Sequence, residues 1–347
     1  MRDEVVKRRK WVSDERFLDL LGATNLIPGP NSTEMAIHLG YARAGWTGLI
    51  LGGALFILPA AVIVGFIAWM YGRYGTLLEV TWLLYGVKPA IIAIVLQALL
   101  GLGKSAVKGP LTAAVGVSVI VASFLGVNEV LLLFAGGLAV VLARRVALPS
   151  SQWWTASLAL LPLPGAVAAV SSVSLAQVFF IFLKVGSILF GSGYVLLAFL
   201  RADLVERLGW LTNQQLIDAI AVGQVTPGPV FTTATFIGYL LGSWQGAVLA
   251  TVGIFLPSFV FVWVTHPLIP KMRKSRWLAA LLDGVIVTSL GLMAVVSYQL
   301  GRSAITDAFT IALGLVALFV VFRTRLSSVW LILGCAGAGI LYKLATT

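Results

Sequence analysis

The chain contains the stretch Asn25-Leu26-Ile27-Pro28-Gly29-Pro30-Asn31-Ser32-Thr33-Glu34 and, in its second half, the related stretch Gln224-Val225-Thr226-Pro227-Gly228-Pro229-Val230-Phe231-Thr232-Thr233. Neither Pro-Gly-Pro run fits a helix interior, because each proline removes a backbone donor and clashes with the preceding turn. Both runs lie in apolar sequence. Broken backbone is tolerated at membrane depth only where protein or a water-filled cavity satisfies it. Paired breaks of this kind in two halves of a chain indicate a transporter's substrate site.

The composition indicates a polytopic membrane protein. Of the 347 residues, 59% are hydrophobic and 11% are charged, whereas soluble domains carry about 25% charged residues. The formal charge of +11 comes from 24 Lys and Arg against 13 Asp and Glu. Most basic residues lie in short loops between apolar runs, where they set orientation and contact anionic membrane lipid. No basic and aromatic strip is present, so we expect no nucleic-acid partner.

The sequence offers no metal or cofactor site. Cys335 is the single cysteine, which excludes an intrachain disulfide. The two histidines, His38 and His266, are far apart in sequence, and no group of residues has metal-ligand spacing. We therefore expect neither a metal nor a cofactor.

The two Pro-Gly-Pro stretches belong to a longer repeat that keeps one register through most of each half. A constant offset, which shifts by one residue after the break, pairs Trp11 with Trp210, Ser13 with Thr212, Asp19 with Asp218, Gly40-Tyr41 with Gly238-Tyr239, Trp46 with Trp244, Leu58-Pro59 with Leu256-Pro257, and Gly86-Val87 with Gly284-Val285. Because chance does not maintain a register over so many positions, we interpret the chain as a tandem duplication.

We predict an all-α, polytopic fold built from two inverted homologous repeats, each with a broken, re-entrant helix. The first repeat covers residues 1–148, a connector covers 149–174, and the second repeat covers 175–347. Membrane spans are predicted at 46–71, 82–103, 112–125, 130–143, 175–199, 244–266, 277–300, 307–322 and 328–344. The first repeat is expected to lack its first span, because nothing precedes residues 2–16, which align with the loop that follows residues 175–199.

The distribution of positive charge predicts the orientation. If the amino terminus is cytoplasmic and the connector does not cross, 16 of the 24 Lys and Arg residues fall on the cytoplasmic side, as the positive-inside rule requires. The loop before Pro227 then lies outside, which makes the two repeats inverted.

At these residues the sequence resembles the chromate ion transporters in their long, two-domain form. The resemblance covers nearly the whole chain. It rests on both Pro-Gly-Pro stretches and on the runs Phe190-Gly191-Ser192-Gly193-Tyr194, 225–235 and 253–257. It implies an integral membrane protein that moves chromate, commonly outward as a resistance determinant.

The polar residues after each break predict an oxyanion site. Helix starts with free N–H groups and hydroxyls bind anions, and chromate is a tetrahedral dianion. Lys184 lies within an apolar run, where we expect a cation to serve a partner or an aqueous path. The predicted substrate-binding residues are Asn31, Ser32, Thr33, Lys184, Thr232 and Thr233. The predicted helix-breaking residues are Pro28, Gly29, Pro30, Pro227, Gly228 and Pro229.

Glu34 and His38 leave two interpretations open. They are four residues apart and so share a helix face, and ionisable residues at membrane depth are candidates for a proton relay. The second repeat has no equivalent pair, and an interfacial pair on a shallow re-entrant helix explains the same spacing.

Together these features predict a secondary transporter of chromate, with sulfate as a related oxyanion, in the inner (plasma) membrane. The alternative is an integral-membrane enzyme that acts on a lipid-linked phosphate. Asp19 and Asp218 recur in the two repeats, but neither has a histidine nearby in sequence, so we predict that the chain is not an enzyme. The sequence leaves open the transport direction, the coupling ion and whether the chain forms a homo-oligomer.

Overall fold

A computed structural model describes residues 1, 3–75, 78–144, 173–190, 195–269, 275–324 and 326–346. Every regular element among these residues is helical. The α-helices are α1 (Asp14–Thr24), α2 (Asn31–Tyr74), α3 (Leu78–Ala106), α4 (Pro110–Phe124), α5 (Glu129–Ala143), α6 (Leu175–Ile188), α7 (Leu196–Leu200), α8 (Asn213–Val225), α9 (Thr233–Thr265), α10 (Arg276–Ala304), α11 (Ala308–Arg323) and α12 (Ser328–Thr346). Single π-helical turns lie at Asp3–Arg8 and Arg201–Arg207.

Five of the described helical segments are long and apolar enough to cross a membrane: Asn31–Tyr74, Thr81–Lys104, Val230–Leu268, Arg276–Ala304 and Ser328–Thr346. Shorter apolar helices lie at Pro110–Phe124, Glu129–Ala143, Leu175–Ile188 and Ala308–Arg323. The predicted all-α, polytopic membrane class is therefore confirmed.

The two Pro-Gly-Pro runs lie between helices. Helix α1 begins after the N-cap Ser13, whose hydroxyl accepts the N–H of Arg16, and α2 begins directly after Pro30. Helix α8 begins after the N-cap Thr212, and a short 3₁₀ turn at Val230–Thr232 precedes α9. Gly29 and Gly228 have φ of +139° and +145°, a backbone conformation that only glycine adopts without strain.

Helices α2 and α9 each contain a sharp reversal at equivalent positions. In α2 the reversal lies at Ala44 (φ −141°, ψ 24°) and Gly45 (φ 57°, ψ −135°). In α9 it lies at Gly242 (φ −152°, ψ 29°) and Ser243 (φ 54°, ψ −148°). Each helix therefore has a short arm that folds back on a long arm.

Small residues allow the close approach of these arms. Gly40 contacts the backbone of Gly48 in α2, and Gly238 contacts the backbone of Gly246 in α9. The matching torsion angles and matching glycine contacts support the duplication that the sequence indicates.

The long arms of α2 and α9 pack against each other in opposite directions. The Trp46 ring, at the start of the first long arm, lies 5.0 Å from the Trp263 ring near the end of the second. Gly53 lies against Phe259, and Gly65 lies against Trp244. Equivalent helices that run antiparallel are what inverted repeats require, although the inverted relation of the complete repeats stays a prediction.

Helices of the two predicted repeats interleave. Helix α3 packs against α11 and α12, and α10 packs against α4 and α5. Gly86 touches the Cys335 backbone at the first of these contacts, and Gly284 touches the Gly136 backbone at the second. Neither predicted repeat thus forms a separate core among the described residues, and the boundaries at 148 and 175 stay a prediction.

The predicted span at 175–199 does not form one continuous helix. Helix α6 has only 14 residues, a length of about 21 Å, where a span needs about 20 residues. It ends at Leu189, whose backbone is extended (φ −87°, ψ 108°). An ion pair joins Lys184 to Asp203, so the chain has returned along α6 as a hairpin. The Gly191–Tyr194 bend lies outside the described residues.

Only residues 173 and 174 of the predicted connector are described. Contacts of the residues on either side of it show where the chain lies before and after the connector. Arg144 bonds to Asp283, near the start of α10. Leu175 lies against Gly242, where the long arm of α9 begins. These positions are at opposite ends of the helix bundle. The expectation of a connector that stays on one side falls on residues outside the described part.

We call the end of the bundle that holds residues 3–16, Lys108 and Arg144 the basic end. At that end Asp283 accepts from Lys108 and Arg144 at 2.7 Å each. The opposite end holds Phe124, Arg201 and Gln299. Arg201 and its neighbours therefore still lie on the side opposite Arg144, as the predicted orientation requires.

Candidate functional site

The first break presents three predicted donors in different environments. The amide of Asn31 donates to Asn25 Oδ1 at 2.8 Å. Ser32 is exposed, and Thr33 is fully buried with no hydrogen-bond partner for its hydroxyl among the described residues. The N–H groups of Thr33 and Glu34 both donate to the Pro30 carbonyl, at 2.8 and 3.0 Å. Of these side chains, Thr33 has the buried hydroxyl that is free to bind a ligand.

The threonines of the second break also divide into one with a bonded hydroxyl and one with an unbonded hydroxyl. The hydroxyl and the N–H of Thr232 both donate to the Pro229 carbonyl, at 2.9 and 3.0 Å. The Thr233 hydroxyl is fully buried against Gly223 and has no partner among the described residues. The pair Thr33 and Thr233 therefore offers unbonded hydroxyls, one at each break.

Each break faces the middle of the other repeat's long arm. Gly29 lies against Ser258 of α9, beside Pro257, and Gly228 lies against Ala60 of α2, beside Pro59. Ser258 and Ala60 are equivalent positions of the repeat. The antiparallel pair of long arms thus lies against both breaks.

Glu34 is enclosed at the first break. It is 0% exposed, and neither carboxyl oxygen has a hydrogen-bond partner among the described residues. A Cβ on Gly29 would overlap the Glu34 carboxyl and the Ser258 hydroxyl, so both polar groups occupy the space that the glycine leaves. The Ser258 hydroxyl is likewise buried and unpartnered.

His38 does not bond to Glu34 directly. Its Nδ1 lies 3.1 Å from Nδ1 of His266, which follows α9 at the basic end. Arg16 of α1 donates to Nε2 of His266 at 3.4 Å. No sequence pattern connects His38 with His266, because the two residues are 228 positions apart.

Lys184 has a partner away from the predicted hydroxyl donors. It pairs with Asp203, and Asp203 also accepts from Arg207 at 3.0 Å. Two cations share one buried carboxylate, so this group keeps one net positive charge. Helix α6 reaches the first break at its other end, where the Gly29 N–H donates to the Leu189 carbonyl at 2.7 Å.

A second polar cluster surrounds Asp218 of α8. Asp218 accepts from Tyr71 Oη at 2.8 Å and from Gln214 at 3.1 Å. Lys88 of α3 makes no ion pair with a described residue. Asp218 is the charged group that interacts electrostatically with the Lys88 ammonium. The recurrence of Asp19 and Asp218 in the repeat was the available signal for this cluster.

A cavity of about 260 Å³ opens at the end opposite the basic end. Arg201 lies in its wall, held by Glu206, by Gln299 at 2.5 Å and by Asn213 at 3.1 Å. Glu129 also lines this cavity. No motif in the sequence predicted it.

Comparison with known proteins identifies the family. The family model described as "Chromate transporter" matches residues 1–141 and 176–340. The chromate transport protein of Cupriavidus metallidurans is 32% identical over 98% of this chain and 86% of its own length. That of Pseudomonas aeruginosa is 31% identical over the same shares. A protein of Synechococcus elongatus named "Probable chromate transport protein" is 31% identical over 92% of this chain and 82% of its own length.

No solved structure matches the chain. The family model and these relatives are named for transport, which confirms the predicted class of transport protein over the enzyme alternative. With matches on both sides of the connector and over nearly all of its length, this multi-pass membrane protein belongs to the chromate transporter family.

Proposed function

We propose that this chain is a secondary transporter that moves chromate outward across the inner (plasma) membrane. The observation that carries the proposal is the position of the two breaks, each against the middle of the opposite long arm. Broken helices that meet at mid-membrane are the usual setting of a transported ion. Family membership supports chromate as that ion.

The substrate site is proposed at Asn31, Ser32, Thr33, Thr232, Thr233 and Lys184. A dianion stripped of water needs donors, and bonds to a charged acceptor are stronger than neutral ones. Thr33 and Thr233 are the best placed, because their hydroxyls are buried and unbonded. To bind the anion, the Thr232 hydroxyl would have to give up its hydrogen bond to the Pro229 carbonyl. Sulfate has the same shape and charge, so it should compete.

Lys184 is proposed to attract the anion. Its carboxylate partner is shared with Arg207, so loss of Lys184 removes the net positive charge of the group. We expect Lys184→Met to abolish chromate uptake into everted vesicles, a measurement that reports outward transport. Lys104→Met is the matched control, because Lys104 is an exposed lysine at the basic end.

Both variants would be compared with the parent at matched expression. Uptake that survives Lys184→Met would remove Lys184 from the site. Uptake by right-side-out vesicles instead of everted ones would contradict the outward direction.

A further inference from the structure

The buried Glu34 carboxyl lacks the partners that a carboxylate requires. A carboxylate away from water is stable only when it is paired or hydrogen-bonded. Among the described residues no cation pairs with Glu34 and no donor bonds to it. A proton resolves this, because it removes the charge that the buried site leaves unpaired, and the unpartnered Ser258 hydroxyl lies beside the same carboxyl at Gly29. The pocket at the first break is therefore built for a carboxyl that holds a proton.

The hydrogen bonds at the basic end define which nitrogens donate and which accept, and the series of donors leads towards Glu34. Arg16 only donates, so Nε2 of His266 accepts. A neutral His266 then carries its proton on Nδ1 and donates it to Nδ1 of His38. A neutral His38 consequently carries its proton on Nε2, and that nitrogen is buried with no partner among the described residues.

His38 lies one helical turn from Glu34 on the same face of α2. The series Arg16, His266, His38 and Glu34 thus leads from the basic end to the break. His266 is half-buried, whereas His38 and Glu34 are fully buried.

We propose that Glu34 is a proton-binding site whose proton travels with the transported anion, and that His266 and His38 connect it to the basic end. When Arg16 moves aside, a proton that arrives at Nε2 of His266 releases the Nδ1 proton to His38. His38 then releases its Nε2 proton to the Glu34 carboxylate. One proton enters, one is delivered, and the histidines exchange tautomers.

The coupling follows from the position of Glu34 next to Thr33, and it rests on the proposed chromate site. A carboxylate beside a dianion repels it, and a neutral carboxyl does not. Proton and anion therefore bind together and move in the same direction. One proton on a dianion leaves one net negative charge, which a membrane potential that is negative inside drives outward. Among the described residues, the other ionisable groups that face the histidines are Arg16 and Tyr41, whose ring lies 4.6 Å from that of His266.

The test uses the full chain in liposomes, with the membrane potential clamped at zero. For one proton per anion, chromate should accumulate on the alkaline side about tenfold for each pH unit. Glu34→Gln, which keeps a neutral side chain, should still exchange chromate without a gradient but should lose accumulation. Glu15→Gln, on an exposed carboxyl of α1, should accumulate like the parent. His266→Ala should exchange normally and accumulate more slowly.

Exchange without a gradient separates the two proposals. No exchange by the parent would overturn the proposed function itself. Exchange by the parent with full accumulation by Glu34→Gln would overturn the coupling site alone, and so would accumulation that follows a sodium gradient instead of a pH gradient. An unchanged rate in His266→Ala would overturn the histidine path.

Discussion

At the scale of single residues, the two breaks differ less in their residue types than in which hydroxyls are already bonded. Thr33 and Thr233 are buried with unbonded hydroxyls, whereas the Thr232 hydroxyl donates to Pro229. The sequence presents these threonines as equal donors. It cannot separate them, because the distinction depends on a backbone carbonyl that the 3₁₀ turn places within reach.

The threonines therefore predict a graded series. Thr33→Val and Thr233→Val should each weaken chromate binding by about 1–3 kcal/mol, the cost of an unpaired polar partner. Thr232→Val should weaken it less, since its hydroxyl is already bonded. The concentration dependence of chromate uptake by each variant measures the effect. A larger loss for Thr232→Val than for the other two would contradict the assignment of donors.

At the scale of elements, the antiparallel packing of α2 and α9 brings the breaks to the middle of the opposite long arms. It predicts that cysteines at 46 and 263 react with one short bifunctional reagent, because the two tryptophan rings there lie 5.0 Å apart. Cysteines at 46 and 244 should not react with one such reagent, since these positions lie at opposite ends of the pair. The native Cys335 would be replaced by Ser in both double-cysteine variants. The chain would then be cut between α2 and α9, and a cross-linked product would keep the two fragments together on a gel. A product from 46 and 244 would show parallel helices.

The elements also show where sequence reasoning succeeds and where it fails. Proline and glycine act on their own backbone, so the breaks at Pro28–Pro30 and Pro227–Pro229 are readable from the sequence. The hairpin of α6 and α7 is not, because an apolar arm that turns back has the same composition as a span. The end of α6 at Leu189 and the pairing of Lys184 with Asp203 distinguish them.

The proposed polar path to Glu34 can likewise be predicted only in part from the sequence. The spacing of Glu34 and His38 is visible in the sequence because a helix places both on one face. His266 comes from the end of α9, and the antiparallel packing of α9 on α2 brings it to His38. Tertiary packing between the repeats therefore decides the part of the site that local patterns leave out.

At the scale of the whole molecule, the distribution of charge predicts the orientation. The basic end holds residues 3–16, Lys108 and Arg144, and it should face the cytoplasm. A membrane-impermeant thiol reagent should then label a cysteine at position 206 in intact cells. It should label one at position 104 only after permeabilisation. The reverse pattern would contradict the proposed orientation.

The most direct test of the central claim, that the two breaks form the chromate site, is chromate exchange by purified protein in liposomes. Gly228 has a positive φ, and a side chain there would collide with Ala60. We expect the parent to exchange chromate and Gly228→Leu to lose exchange while it still inserts. Gly334→Leu, whose new side chain would meet open space in α12, should exchange like the parent. Full exchange by Gly228→Leu would contradict the account.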